Sequence, residues 1–204
     1  MIIDRNLIQG TPEWHNARIG SPGASSFDKI ITSTGKSSTQ RKKYMHQLAG
    51  EILLGAKEES YKNAIMERGT ELEPIARELF EKEMNLGVEE VGIIYPDDFM
   101  RDYHVSPDGL IINQNKGLEI KCPLLATHVE YLDKGKLPTK YICQIQGSLM
   151  ITDYKSWFFM SYYPGLRPLI IEVQRDVSLI ATLKKGVEAF CSELSVLVDR
   201  LQFG

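Results

Sequence analysis

Two acids with ten residues between them dominate the middle of this chain: Asp108, in Ser106-Pro107-Asp108-Gly109, and Glu119, in Glu119-Ile120-Lys121. The stretch between them starts with the apolar, β-prone Leu110-Ile111-Ile112 and runs into the turn formers Asn113, Asn115 and Gly117. That order predicts strand, tight turn, strand. The hairpin sets the two carboxylates side by side. On its second strand Glu119 and Lys121 share a face while Ile120 points into the core, because successive side chains alternate. Neighbouring carboxylates repel and are seldom desolvated without a counter-charge, and a divalent cation supplies one. Oxygen donors with no local His or Cys set suit Mg²⁺, with Mn²⁺ as a substitute. The same residues also suit a plain surface hairpin, with Asp108 serving the turn and Glu119 and Lys121 forming a solvated pair.

Further blocks stand at other points of the chain: Glu13-Trp14-His15-Asn16-Ala17-Arg18-Ile19-Gly20 followed by Ala24-Ser25, then Gly69-Thr70-Glu71-Leu72-Glu73. Gly117-Leu118-Glu119-Ile120-Lys121-Cys122-Pro123 and Tyr141-Ile142-Cys143-Gln144-Ile145-Gln146 follow. Taken with the Asp108 block, in this order and at these separations, the set resembles the phage lambda exonuclease and YqaJ-like viral recombinase family of the PD-(D/E)XK nucleases. The likeness runs from about residue 8 to residue 175. It implies an α/β fold with a restriction-endonuclease-like core, a central mixed β-sheet flanked by helices. By the same resemblance, the activity is a Mg²⁺-dependent 5′→3′ exodeoxyribonuclease. Such an enzyme digests one strand of linear duplex DNA to mononucleotides and leaves a 3′ overhang for recombination by strand annealing.

The resemblance also distributes roles. Asp108, Glu119 and the Ile120 carbonyl hold metal, Glu73 assists with Glu71 as the fallback ligand, and Lys121 activates water. Arg18, Ser25, Ser106 and Gln146 form a pocket for the 5′-terminal phosphate, for which a guanidinium fork with hydroxyl and amide donors is suitable chemistry. Met66 matches an apolar wedge between the strands, although a methionine at helical spacing is equally ordinary core. The implied partners are duplex DNA ends, a single-strand annealing protein and two further copies of the chain in a ring-shaped homotrimer. The implied setting is the cytoplasm of a bacterial host, with a phage or prophage gene. An endonuclease of the same superfamily and an inert DNA-end-binding module stay open as alternatives.

At 204 residues, 43% of them hydrophobic, the chain can bury a sizeable core, and we read residues 1–204 as one nuclease domain. No apolar run approaches the length of a membrane span, and the first residues lack the pattern of a secretory signal. The net charge of −3 denies the chain a broad basic surface, so DNA contact falls to local lysines and arginines such as Arg41-Lys42-Lys43, Lys134, Lys136 and Lys140. Three cysteines without ligand spacing read as buried, reduced thiols. Trp14 reads as core, and His15 and His104 as residues outside any metal site.

The expected elements are a short helix from Ser21-Pro22 to about Thr32 and a longer one capped by Ser38. Tyr44, Leu48 and Ile52 lie on the inner face of the longer helix, and Gly55 ends it. A helical region from about Lys62 to Asn85 follows, then strands at Val88–Tyr95, Tyr103–Ser106, Leu110–Ile112 and Leu118–Cys122. After these come helices near Thr127–Leu132 and Pro138–Ile151, strands at Trp157–Tyr163 and Leu169–Gln174, and a final helix capped by Asp176. Within the third helical region, Thr70-x-x-Glu73 followed by Pro74 doubles as a capping box at a helix start.

Overall fold

A computed structural model of the protein describes residues 1–57, 64–97 and 102–204, with side chains in the second stretch from Glu67 onward. Strand β1 (Ile2–Asp4) is followed by helices α1 (Pro12–Asn16), α2 (Arg41–Leu54) and α3 (Ala64–Met84). Strands β2 (Val88–Glu89), β3 (Ile93–Tyr95), β4 (Gly109–Ile111) and β5 (Lys116–Lys121) come next. Helices α4 (Leu125–Lys134) and α5 (Ile142–Thr152), strands β6 (Ser156–Ser161) and β7 (Leu169–Gln174), and helix α6 (Val177–Phe203) complete the order. Five strands form a mixed sheet in the order β2-β4-β5-β6-β7. Only β5 and β6 in it are parallel, and α4 and α5 make the crossover between them. Strand β1 pairs separately with β3.

The sheet divides the interior because neighbouring residues of a strand point to opposite faces. Trp157 and Phe159 of β6 join Leu48, Leu149, Leu183 and Phe190 under α2, α5 and α6. Phe158 and Met160 join Ala76 and Phe80 of α3, with Leu118 and Ile120 of β5. Buried on both faces, β6 carries an unbroken apolar run over Trp157–Met160 between two serines, as an inner strand with a parallel neighbour should. Gly117 allows β5 and β6 to approach: a Cβ there would lie 2.3 Å from the Trp157 ring.

Several expected boundaries move, each for a local reason. The helix expected from Ser21 shrinks to a 3₁₀ turn over Ala24–Lys29. The second helix starts at Arg41, because Ser38 spends its hydroxyl on the Gln40 amide in a turn; Gly55 ends it in the left-handed conformation at φ 67°. Ile52 is exposed and lies against Gly20, outside the core assigned to it. The strand expected over Val88–Tyr95 breaks in two, with Gly92 packed against Leu7, and Tyr103–Ser106 contributes only isolated bridges. Helix α3 begins at Ala64, so Thr70 and Glu73 are interior positions and the capping-box reading fails. Pro74 sits inside the helix, where it removes an amide that would have bonded back to Thr70. Asp176 caps α6 as expected, accepting from the Leu179 amide at 2.9 Å.

Candidate active site

The β4–β5 hairpin forms as the spacing requires. Gly109 pairs with Leu118, and the turn between the strands carries Asn113 at φ 59°. One step beyond that pair, Asp108 lies beside Glu119, and its amide donates to the Leu118 carbonyl at 3.2 Å. The Asp108 carboxylate accepts from the Ile120 amide at 2.5 Å. Glu119 is only 2% exposed and Oε1 pairs with the Lys121 ammonium, while Oε2 is buried with no hydrogen-bond partner among the described residues. A carboxylate oxygen left without a donor in a protein interior is costly, so it marks a place for a cation.

Helix α3 brings Glu73 to the same place. Arg77, one turn later, donates to the Glu73 carboxylate at 2.7 Å, to Glu90 at 2.9 Å and to the main-chain oxygen of Asp108 at 2.9 Å. One guanidinium thus ties the helix, the segment just after β2 and the hairpin together. Burial raises the Asp108 carboxyl well above the usual carboxylate range, and the charges of Glu119 and Glu73 add to it despite Lys121. Burial likewise raises Glu73, opposed chiefly by Arg77. For the Lys121 ammonium, burial acts downward, but Glu119 and Asp108 outweigh it and hold the group above its ordinary range.

Among the described residues no three His, Cys, Asp or Glu side chains converge as a ready-made metal cluster. Glu73 is committed to Arg77, which leaves Asp108, Glu119 and the main chain of Ile120. That donor set still fits Mg²⁺, which usually takes one or two carboxylates and completes its shell with water and phosphate oxygens.

A second group of residues surrounds Arg18. Its guanidinium lies 3.9 Å from the centre of the Trp14 ring, and Nε donates to Nε2 of His104 at 3.0 Å. Trp14 donates in turn from Nε1 to the Ser106 hydroxyl at 3.2 Å and to the Gly92 carbonyl at 3.1 Å. Because Nε2 of His104 accepts, the proton sits on Nδ1, which faces the Ser21 hydroxyl at 2.9 Å. Burial, with Arg18 and Lys57 nearby, pushes the His104 imidazole down to about 3. Arg18 has no carboxylate partner among the described residues, so the ordinary alternative for this arginine, a structural ion pair, is absent there.

The expected phosphate pocket is therefore gathered in part. Arg18 and Ser106 meet through Trp14, which is a half-buried platform for the guanidinium in place of the core residue expected. Ser25 is exposed on the 3₁₀ turn, whose first amide, from Ala24, donates to the His104 carbonyl at 2.8 Å. Gln146 is buried and spans β7 and α6, donating to the Gln174 carbonyl and accepting from the Asp176 amide, each at 2.9 Å. Those bonds leave one amide hydrogen for any ligand. The side chain of Met66 lies outside the described residues. Arg41 forks onto Glu193 and joins α2 to α6, a structural task. Of the cysteines only Cys143 is buried, and all three are free thiols.

Sequence reasoning missed Arg77, Glu51 and His104. Arg77 had a legible signal in its i,i+4 spacing from Glu73. Buried Glu51 accepts from the Gly20 amide at 3.1 Å and steadies the loop that carries Arg18, and no local pattern announces a contact between residues so far apart.

Comparisons with known proteins identify the family and the fold. The family model of the YqaJ-like viral recombinase domain matches residues 13–155, which contain both groups of residues. An alkaline exonuclease from Laribacter hongkongensis superposes with a TM-score of 0.85 at 35% identity, over 94% of this chain and 96% of that one. The structure of that enzyme in complex with dAMP gives 0.84. A phage-related exonuclease from Haemophilus somnus 129PT shares the fold at a TM-score of 0.72 and 19% identity, over 89% of this chain and 96% of that one. No curated protein sequence matches. The family model spans more than half of the chain, and the Laribacter enzyme is 35% identical over 94% of it, so the chain belongs to the YqaJ-like viral recombinase family.

Proposed function

We propose that the protein is a Mg²⁺-dependent 5′→3′ exodeoxyribonuclease that digests one strand of linear duplex DNA to mononucleotides and leaves a 3′ overhang for strand annealing. The observation that carries this reading is the buried pairing of Asp108 with Glu119 beside Lys121, in a chain related to an alkaline exonuclease. The dAMP complex of the Laribacter enzyme supports a mononucleotide product.

Asp108, Glu119 and the Ile120 carbonyl would hold the metal, with Glu73 at its margin. When bound, Mg²⁺ would polarise the scissile phosphate and lower the pKa of a coordinated water. Lys121 stays an ammonium between its carboxylates, so it acts as a donor that fixes water or phosphate oxygen and neutralises developing charge. Arg77 positions Asp108 and Glu73. At the other group, Arg18 offers its remaining guanidinium donors to the 5′-terminal phosphate, with Ser106 next to it through Trp14, and Ser25 and the spare Gln146 hydrogen as further donors of the proposal. A neutral His104 keeps that site free of competing donors on the Arg18 Nε side.

A ring of three copies, working with an annealing protein, belongs to the same proposal. A closed ring keeps an encircled duplex from leaving sideways, and rotational symmetry closes heterologous contacts. Exposed Leu54, Val196, Leu201 and Phe203 on α2 and α6 offer apolar surface for such contacts. Among the described residues no helix is long and apolar enough to cross a membrane.

The test is digestion of linear 5′-phosphorylated duplex and of covalently closed circles, with and without Mg²⁺, with products sized. The expected result is Mg²⁺-dependent release of mononucleotides from the linear substrate alone. Cutting of closed circles would instead identify an endonuclease, and end binding without nucleotide release an inert module.

A further inference from the structure

The ring of Tyr141 connects the acidic hairpin to a basic groove outside it. The Lys121 ammonium lies 5.4 Å from the centre of the Tyr141 ring, and the Lys140 ammonium lies 4.9 Å from the same centre. Lys140 is also held over Tyr131, at 5.7 Å. Beyond it opens a cleft of about 530 Å³ whose lining includes Lys134, Lys136 and Lys140 against a single acid, Glu130. Glu130 pairs with Lys134, so the groove keeps a positive excess. Lysines scattered on a surface are ordinarily solvated. Here Lys140 is oriented by two aromatic rings, and cation–aromatic contact limits its freedom while its charge faces outward. Successive phosphates of one DNA strand rise by about 3.4 Å, so a strand held at Lys121 passes Lys140 within about three nucleotides.

We propose that Lys134, Lys136 and Lys140 form a phosphate-binding groove for the DNA backbone next to the scissile phosphate, with Lys140 as its inner anchor. This proposal rests on the nuclease reading and adds a binding surface to it. The overall net charge of −3 makes such a local strip necessary, because it leaves little long-range attraction for DNA.

The test is the salt dependence of binding, measured by anisotropy of a labelled blunt duplex in EDTA between about 50 and 200 mM salt. Each phosphate that the protein no longer neutralises should reduce the slope of log affinity against log salt by about 0.9. The variant K134A/K136A/K140A should reduce the slope by about 2 to 3, Lys140→Gln by about 0.9, and Lys140→Arg by almost nothing. A control, K184A/K185A on α6, removes charge elsewhere and should leave the slope unchanged. An unchanged slope in the triple variant, or an equal fall in the control, overturns the groove while the nuclease reading stands. If wild-type protein neither binds nor degrades duplex DNA, the nuclease reading fails and the groove with it.

Discussion

The guanidinium of Arg77 donates from Nε to the main-chain oxygen of Asp108 at 2.9 Å while its other nitrogens hold Glu73 and Glu90. A helix residue therefore fixes the height of the hairpin that carries the site. Removing it leaves Glu73 half-buried without its partner and Asp108 without its anchor. Arg77→Ala should cost roughly 1.5–3 kcal/mol of stability, as for charge-assisted bonds, and cut the rate at least tenfold. Arg77→Lys should recover little, since an ammonium cannot reproduce a planar fork toward three acceptors. Denaturant titration with single-turnover kinetics checks both, and full activity in Arg77→Ala would end the positioning role.

The two hairpin acids make a different prediction. Asp108 is held protonation-prone by burial and by Glu119, so the native state gains nothing from its charge. Asp108→Asn and Glu119→Gln should each abolish cleavage while still binding DNA ends; Asp108→Asn should melt at or above the wild-type temperature, whereas Glu119→Gln also gives up the ion pair with Lys121. Excess EDTA should silence the wild-type enzyme in the same way. Activity surviving in either variant would remove that carboxylate from the chemistry.

How much of this was legible depends on how local each cause is. The hairpin could be read because strand alternation and turn residues act within about a dozen positions, and the β7 and α6 boundaries followed from Leu169–Gln174 and the Asp176 cap. Helix α3 was read close to its observed span from its apolar stripe, and only the alternative of a capping box at Thr70 failed, because the helix is already under way at Ala64. Arg18 and Ser106 were found, but the Trp14 platform between them and His104 behind them depend on a tertiary meeting of residues about ninety positions apart. Gln146 shows the opposite limit. Its place in a helix over Pro138–Ile151 could be read, whereas the neighbours that occupy its amide come from β7 and the start of α6.

Gly117 is a place where the sheet tolerates no side chain. A Cβ would meet three atoms of the Trp157 ring within 2.5 Å, and that ring is fully buried. Gly117→Ala should destabilise the protein by about 1–3 kcal/mol through overpacking, two residues from Glu119. Thermal or denaturant unfolding measures it, and a loss below about 0.5 kcal/mol, the scale of ordinary surface changes, would show that β5 and β6 can part.

Acid should weaken the fold through His104. In the native state the imidazole stays neutral down to about 3, whereas the unfolded chain takes a proton near the ordinary 6.5. The unfolded state therefore binds more protons between those values, and stability present above pH 6.5 is lost as pH falls toward 3. The slope from this group reaches about 1.4 kcal/mol per pH unit within that window. Unfolding free energies at pH 7 and pH 5 should differ accordingly. The His104 ring signal in the NMR spectrum should not titrate while the protein remains folded; titration near pH 6 would refute the buried neutral state.

Arg18 has two of its features spoken for, Nε by His104 and one face of the guanidinium by Trp14, which among the described residues leaves its terminal nitrogens as donors for the proposed pocket. A phosphate on the free 5′ end adds charge that only this pocket would read. A 5′-phosphorylated duplex should thus be degraded faster than its 5′-hydroxyl counterpart. Arg18→Ala should erase most of the difference, about 2 kcal/mol or tens-fold, as for a charge-assisted bond to a bound anion. Arg18→Lys should fail too, because an ammonium has no Nε for His104 and stacks poorly on the indole. The scissile phosphate is the same in both substrates, so the comparison separates this pocket from the acidic hairpin. If Arg18→Ala keeps the wild-type preference, the pocket is assigned to the wrong arginine, and the guanidinium serves only to fasten the Trp14 helix to His104.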